Sequence, residues 1–277
     1  MSRRVVHGLI LLALACGPVM AAPPRVVSLA PHLAELACEA GACGQLVGVV
    51  EYTDAPAAAA ALPKVGNAWA VNLEVLLSLR PDRVLLWDGG TPAATGQRLR
   101  DLGLAVLPVR VQTLDDIGRA LEQIGTALGT PQPAQRAAQT YRERLGALRA
   151  RYRDRPRLRA FYQIETRPAY SIGRTSPLHE ALALCGADNV FADLPTVAGP
   201  VSTEAVLAAR PEVVVHTSEE NAAEIERYWA PFARLPAARH RVVVDANLLT
   251  RQSPRVLEGI EQLCRGLDAV RASRASR

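Results

Sequence analysis

From Ala134 to Arg155 the chain runs without a proline, bounded by the breakers Gly129-Thr130-Pro131-Gln132-Pro133 before it and Pro156 after it. Ala134, Ala137, Ala138, Tyr141, Leu145, Leu148 and Tyr152 recur there at steps of three or four, which is one face of a helix. Arg142, Glu143, Arg144, Arg149, Arg151 and Arg153 fill the other face. A helix of about 20 residues at 1.5 Å rise is roughly 30 Å long. Its outer side is too hydrophilic to lie inside one domain, so residues 131–156 are expected to be a rigid strut between two units.

The chain on either side of the strut repeats itself. Val71 to Val84 aligns without gaps on Val201 to Val214, sharing a glutamate (Glu74, Glu204), an Arg-Pro pair (Arg80-Pro81, Arg210-Pro211) and a closing valine. Glu35 to Gly41-Ala42 and Glu180 to Gly186-Ala187 keep one internal spacing as well. Fixed offsets of this kind point to a duplicated unit. With 277 residues, 49% of them apolar, there is material for two cores.

The first residues have the form of an export signal. Met1-Ser2-Arg3-Arg4 is basic, Val5 to Ala15 is apolar and too short to span a bilayer, and Val19-Met20-Ala21 has small residues where a signal peptidase reads. Residues 1–21 are therefore expected to be a signal peptide and the mature chain periplasmic. Lipidation at Cys16 is the weaker reading, because Ala13 replaces the usual leucine. Of five cysteines, Cys16 leaves with the signal, and four in an oxidising compartment allow three pairings. Cys38 with Cys43, across a helix end at Gly41, and Cys185 with Cys264, tying the last helix to its own lobe, is the favoured set. Buried free thiols remain the other possibility. The formal charge of +5 sits on the signal, the strut and the Arg271–Arg277 tail, without interleaved aromatics, so it reads as solvated surface and not as a nucleic-acid site.

In order, short apolar runs alternate with helical ones: strands at Arg25–Ala30, Leu46–Val50, Arg83–Trp87 and Leu104–Val109 before the strut, and at Leu158–Ile164, Val213–His216 and Arg241–Asp245 after it. Helices are expected at His32–Ala40, after Asn72 and Ser202, at Ala93–Leu102, at Ser176–Leu184 and at Pro254–Val270. The fold class is α/β: two Rossmann-like lobes, residues 22–130 and 157–277, each with a central parallel sheet.

Ligands of such sheets gather beyond the carboxyl ends of the strands. Pro31, Tyr52, Trp69 and Trp87 fall there in the first lobe, and Tyr170, Asn247 and Arg251 in the second. In a chain with 4% aromatic residues, that concentration of flat side chains suits a large rigid ligand. There is no G-x-S-x-G, H-E-x-x-H, G-x-x-x-x-G-K-[ST] or G-x-G-x-x-G. Asp54, Asp88 and Asp245 are acid candidates by location alone, which leaves a secreted α/β enzyme poorly supported. The five histidines have no metal-site spacing, and His32, beside Pro31, is the one candidate axial contact to a bound metal complex. Glu74 and Glu204 suit helix N-termini; as equivalent surface carboxylates on both lobes they could also dock a two-fold partner through arginines.

Ser28-Leu29-Ala30-Pro31, Tyr52-Thr53-Asp54, Trp69-Ala70-Val71-Asn72-Leu73-Glu74, Leu79-Arg80-Pro81-Asp82 and Ser253-Pro254-Arg255 together resemble the helical-backbone periplasmic binding proteins, and within them the cobalamin-binding members of vitamin importers. The resemblance covers nearly the whole mature chain. It implies a monomeric receptor without resident cofactor or enzymatic activity, carrying a corrinoid as transported ligand to the permease of an ABC importer. It also implies corrinoid contacts from Pro31, Tyr52, Trp69, Trp87, Tyr170 and Arg251, and permease docking through Glu74 and Glu204. The sequence departs from the pattern at Ala198, where a tryptophan is expected, and at Asn247, where an aspartate is. Haem or a ferric siderophore is the alternative cargo on the same fold, with Tyr52 as iron ligand and Arg251 as carboxylate partner.

Overall fold

The computed structural model describes residues 22–67, 69–217 and 222–275; the expected signal peptide and Cys16 lie outside them. The first lobe runs β1 (Val26–Ser28), α1 (Pro31–Ala37), β2 (Leu46–Val49), α2 (Ala57–Ala60), α3 (Leu73–Ser78), β3 (Arg83–Trp87), α4 (Ala93–Asp101), β4 (Ala105–Val109) and α5 (Leu114–Ala127). The linking helix α6 (Pro131–Tyr152) follows. The second lobe comprises β5 (Leu158–Tyr162), β6 (Glu165–Thr166), β7 (Ala169–Ile172), α7 (Pro177–Leu184), β8 (Ala187–Asn189), β9 (Ala198–Val201), α8 (Thr203–Ala208), β10 (Val213–His216), α9 (Ala222–Trp229), α10 (Pro236–Arg239), β11 (Arg241–Val243), α11 (Ala246–Leu249) and α12 (Val256–Ala275).

The first sheet has the order β2-β1-β3-β4 and the second β8-β5-β10-β11, every pair parallel. Strand by strand the two orders are the same, so β1 corresponds to β5, α1 to α7, α3 to α8 and α5 to α12. Local chemistry repeats too. Asn72 caps α3 by accepting from the Val75 amide, and Ser202 caps α8 by accepting from the Ala205 amide. Both helices end at an arginine in the left-handed region, Arg80 and Arg210, each with φ 46°. In the first lobe the Arg25 amide donates to Asp82 at 2.8 Å, and in the second the Arg159 amide donates to Glu212 at 2.8 Å.

Each lobe has the expected central parallel sheet, and the second adds β6, β7 and β9, a separate antiparallel sheet between β5 and α8 in sequence. The linking helix α6 is packed more closely than its hydrophilic outer face implies. It ends at Tyr152, and its buried stripe of Ala134, Ala138, Tyr141, Leu145, Leu148 and Tyr152 belongs to one apolar core that runs from Val26 to Val270 through both lobes. Burying such a stripe is what stabilises a helix whose other face is charged. Tyr141 donates to the Leu114 carbonyl at 2.8 Å, and Arg142 grips Glu122 of α5 with two bonds of 2.8 Å. The basic tail is likewise not wholly solvated: Arg271 donates to the carbonyls of Pro156, Cys185 and Gly186.

The four cysteines form two bonds, Cys38–Cys43 and Cys185–Cys264. The first lies in the tight turn after α1, where Gly41 takes φ 83°; the second joins the end of α7 to the middle of α12.

Candidate functional site

The carboxyl ends of the strands in both sheets meet at the junction of the lobes. Between them lies a mainly apolar cavity of about 220 Å³. The first lobe supplies Trp87 and Leu114, and the second Pro177, Val197 and Arg251. Trp87 closes β3 half-buried and meets His32 of α1 edge to face, ring centroids 5.1 Å apart. Gly90 makes that placement possible, because a Cβ there would stand 2.0 Å from the indole. Pro31 opens α1 beside His32. His32 is buried and its Nε2 has no hydrogen-bond partner. Burial, reinforced by the nearby Arg251 guanidinium, pushes its imidazole down to about 3, so it is neutral throughout the physiological range.

Tyr52 and Trp69 stand outside this cavity on adjacent loops beyond β2, 78% and 69% exposed. The loops are joined where the Glu51 amide donates to the Gly66 carbonyl at 2.7 Å. Trp69 rides on a turn in which the Asn67 side chain accepts from the amides of Trp69 and Ala70. Tyr52 adopts φ 63°, a conformation that costs a non-glycine residue about 1–3 kcal/mol. Its ring is thereby presented to solvent. Tyr170, on β7 of the antiparallel sheet, is half-buried and paired with Glu165.

Arg251 holds these parts together across the junction. Its Nη2 donates to the Tyr52 carbonyl at 3.0 Å and to Asn247 Oδ1 at 2.8 Å, and its Nη1 to Glu35 at 3.1 Å and to Asp54. Glu35, buried in α1, also accepts from Ser253 Oγ at 2.6 Å and from Arg255 at 3.5 Å. Two guanidinium groups therefore face two carboxylates, and the cluster carries no net charge. Asn247 serves this cluster through Arg251. Glu35 and Ser253 were not among the expected site residues; the repeated Glu35 and Glu180 spacing was the available signal for the first.

Glu74 and Glu204 are exposed in the first turns of α3 and α8, on equivalent surfaces of the two lobes. The helix-terminal amide and the Ser202 hydroxyl hold the Glu204 carboxyl below its usual range, so it stays ionised. Among the described residues no group of three His, Cys, Asp or Glu side chains is arranged to hold a metal, and no helix is long and apolar enough to cross a membrane.

The whole arrangement has known counterparts. Over 242 residues, 87% of each chain, this sequence is 36% identical to the vitamin B12-binding protein of Vibrio cholerae. The crystal structure of the periplasmic vitamin B12 binding protein BtuF of Vibrio cholerae superposes with a TM-score of 0.82 at 34% identity, covering 90% of this chain and 98% of that one. A periplasmic heme binding protein from Pseudomonas aeruginosa superposes with a TM-score of 0.76 at 28% identity, covering 88% and 92%. The model of the family described as periplasmic binding protein matches residues 26–247, which take in both sheets and the helix between them, so this chain belongs to the periplasmic binding protein family.

Proposed function

We propose that this protein captures cobalamin or a related corrinoid between its lobes in the periplasm and delivers it to the permease of an ABC importer. The observation that carries the reading is similarity to the Vibrio cholerae vitamin B12-binding protein along both lobes, at 36% identity. The site supports it. Trp87 in the cavity wall, with Tyr52 and Trp69 exposed on neighbouring loops, offers flat apolar contact to a macrocycle. Arg251 already spends its charge on Glu35 and Asp54. A cargo bearing carboxylates, such as haem, would have to displace Asp54 to use it, whereas the carboxamide rim of a corrinoid needs only hydrogen-bond partners.

In this reading Pro31, Tyr52, Trp69, Trp87 and Tyr170 touch the cargo, Arg251 and Asn247 order the rim, and Glu74 and Glu204 meet arginines of the permease. The protein works as a monomer, and the leader in residues 1–21 directs export. Titration calorimetry with cyanocobalamin, haem and a ferric siderophore is the test. Heat with cyanocobalamin is the expected result. Silence with every corrinoid, or a Soret shift on adding haem that Tyr52→Phe abolishes, would overturn the assignment.

A further inference from the structure

Glu35 and Glu180 occupy equivalent places: each is in the first helix of its lobe, six residues before a left-handed glycine, Gly41 at φ 83° and Gly186 at φ 73°. Each also reaches out of its own lobe. Glu35 of α1 accepts from Arg251, Ser253 and Arg255, the segment that leads into α12. Glu180 of α7 accepts from the Leu114 amide at 2.7 Å, the first residue of α5, and from Arg149 of α6 at 2.6 Å. Since α1 corresponds to α7 and α12 to α5, the two crossings are the same contact made in opposite directions. Arg149 reinforces the second through a two-pronged grip on Asp115 at 3.0 and 2.9 Å.

Leu114 and Arg251 both line the inter-lobe cavity, so the two crossings abut the space that the lobes enclose. Ordinary capping does not require either carboxylate. Glu35 lies past the first turn of α1 and Glu180 sits in the first turn of α7, yet the bonds each accepts come from outside its own helix: Arg251, Ser253 and Arg255 for Glu35, the Leu114 amide and Arg149 for Glu180. A two-lobe protein joined by one helix can rock about it. The apolar core shared by the lobes opposes that motion, and two cross-lobe bonds on opposite partners restrict it further where the cleft opens.

We infer that Glu35 and Glu180 are positioning residues, a reciprocal pair of cross-lobe pins that set the width of the cleft before cargo enters. The effect on cargo affinity rests on the corrinoid reading above; the effect on cleft width does not. Spin labels at Arg98→Cys on α4 and Glu226→Cys on α9, both exposed, report the separation of the lobes in the full mature chain. One narrow distance that saturating cyanocobalamin leaves unmoved is expected. In the Glu35→Gln, Glu180→Gln double variant the distribution broadens, and cyanocobalamin binds about tenfold or more weakly because the cleft must be ordered on binding. A wild-type distance that shifts with cargo, or a folded double variant as narrow as wild type, overturns the inference. Should the double variant not fold, Ser253→Ala, which removes one donor to Glu35 and no charge, must broaden the distribution; an unchanged width overturns it. If the variant broadens while wild type binds no cyanocobalamin, the pins stand and the corrinoid reading falls.

Discussion

His32 is buried against the Trp87 indole and beside the Arg251 guanidinium. Its folded imidazole titrates near 3 and its unfolded one near 6.5, so below pH 6.5 the unfolded chain takes up a proton that the fold refuses. Stability is therefore retained above that pH and falls as pH falls. Between pH 6.5 and 4.5 the loss is about 2–3 kcal/mol. Urea melts of wild type and His32→Gln across that range should converge as pH drops; parallel curves would mean the ring is hydrated. Gly90 carries a prediction of a different kind. Alanine there would collide with the Trp87 indole, and displacing the ring should lower cyanocobalamin affinity about tenfold while leaving the fold intact, readable by calorimetry beside a far-UV spectrum. Trp87 was legible from its place at a strand end. The partners of Arg251 were not, because Glu35, Asp54 and Tyr52 lie 216, 197 and 199 residues away and no local pattern encodes such pairing.

At the scale of elements, the parallel strands and the capped helices α3 and α8 were readable, since apolar runs and an Asn or Ser before a helical stretch act locally. The antiparallel sheet was not. Its strands are 2 to 4 residues long, and β9 contains Gly199 and Pro200, which disguise it as a turn. The helix α5 has signals just as local, a capping box between Thr113 and Asp116 and an apolar stripe through Ile117, Leu121 and Ile124. The two disulfides should weigh unequally. Cys185–Cys264 closes 79 residues and Cys38–Cys43 only 5, so chain entropy assigns about 4.5 kcal/mol to the first and about 2 kcal/mol to the second. Melts of the two paired Cys→Ala variants should rank in that order, and the reverse rank would show that the short bridge does more than close a loop.

For the whole molecule, one apolar core threads both lobes and α6, while the helices that carry Glu74 and Glu204 pack as two wings on two further apolar clusters, one in each lobe. Replacing both glutamates by alanine should abolish most uptake of labelled cyanocobalamin in cells and leave its affinity for the isolated receptor unchanged; weakened binding would make them part of the fold. A continuous core has one more result. If the wings keep their spacing whether or not a passenger is aboard, an importer that measures that spacing sees vacant and laden receptors alike. Vacant copies then queue at the same entrance, and overexpressing the receptor when vitamin is scarce should slow uptake.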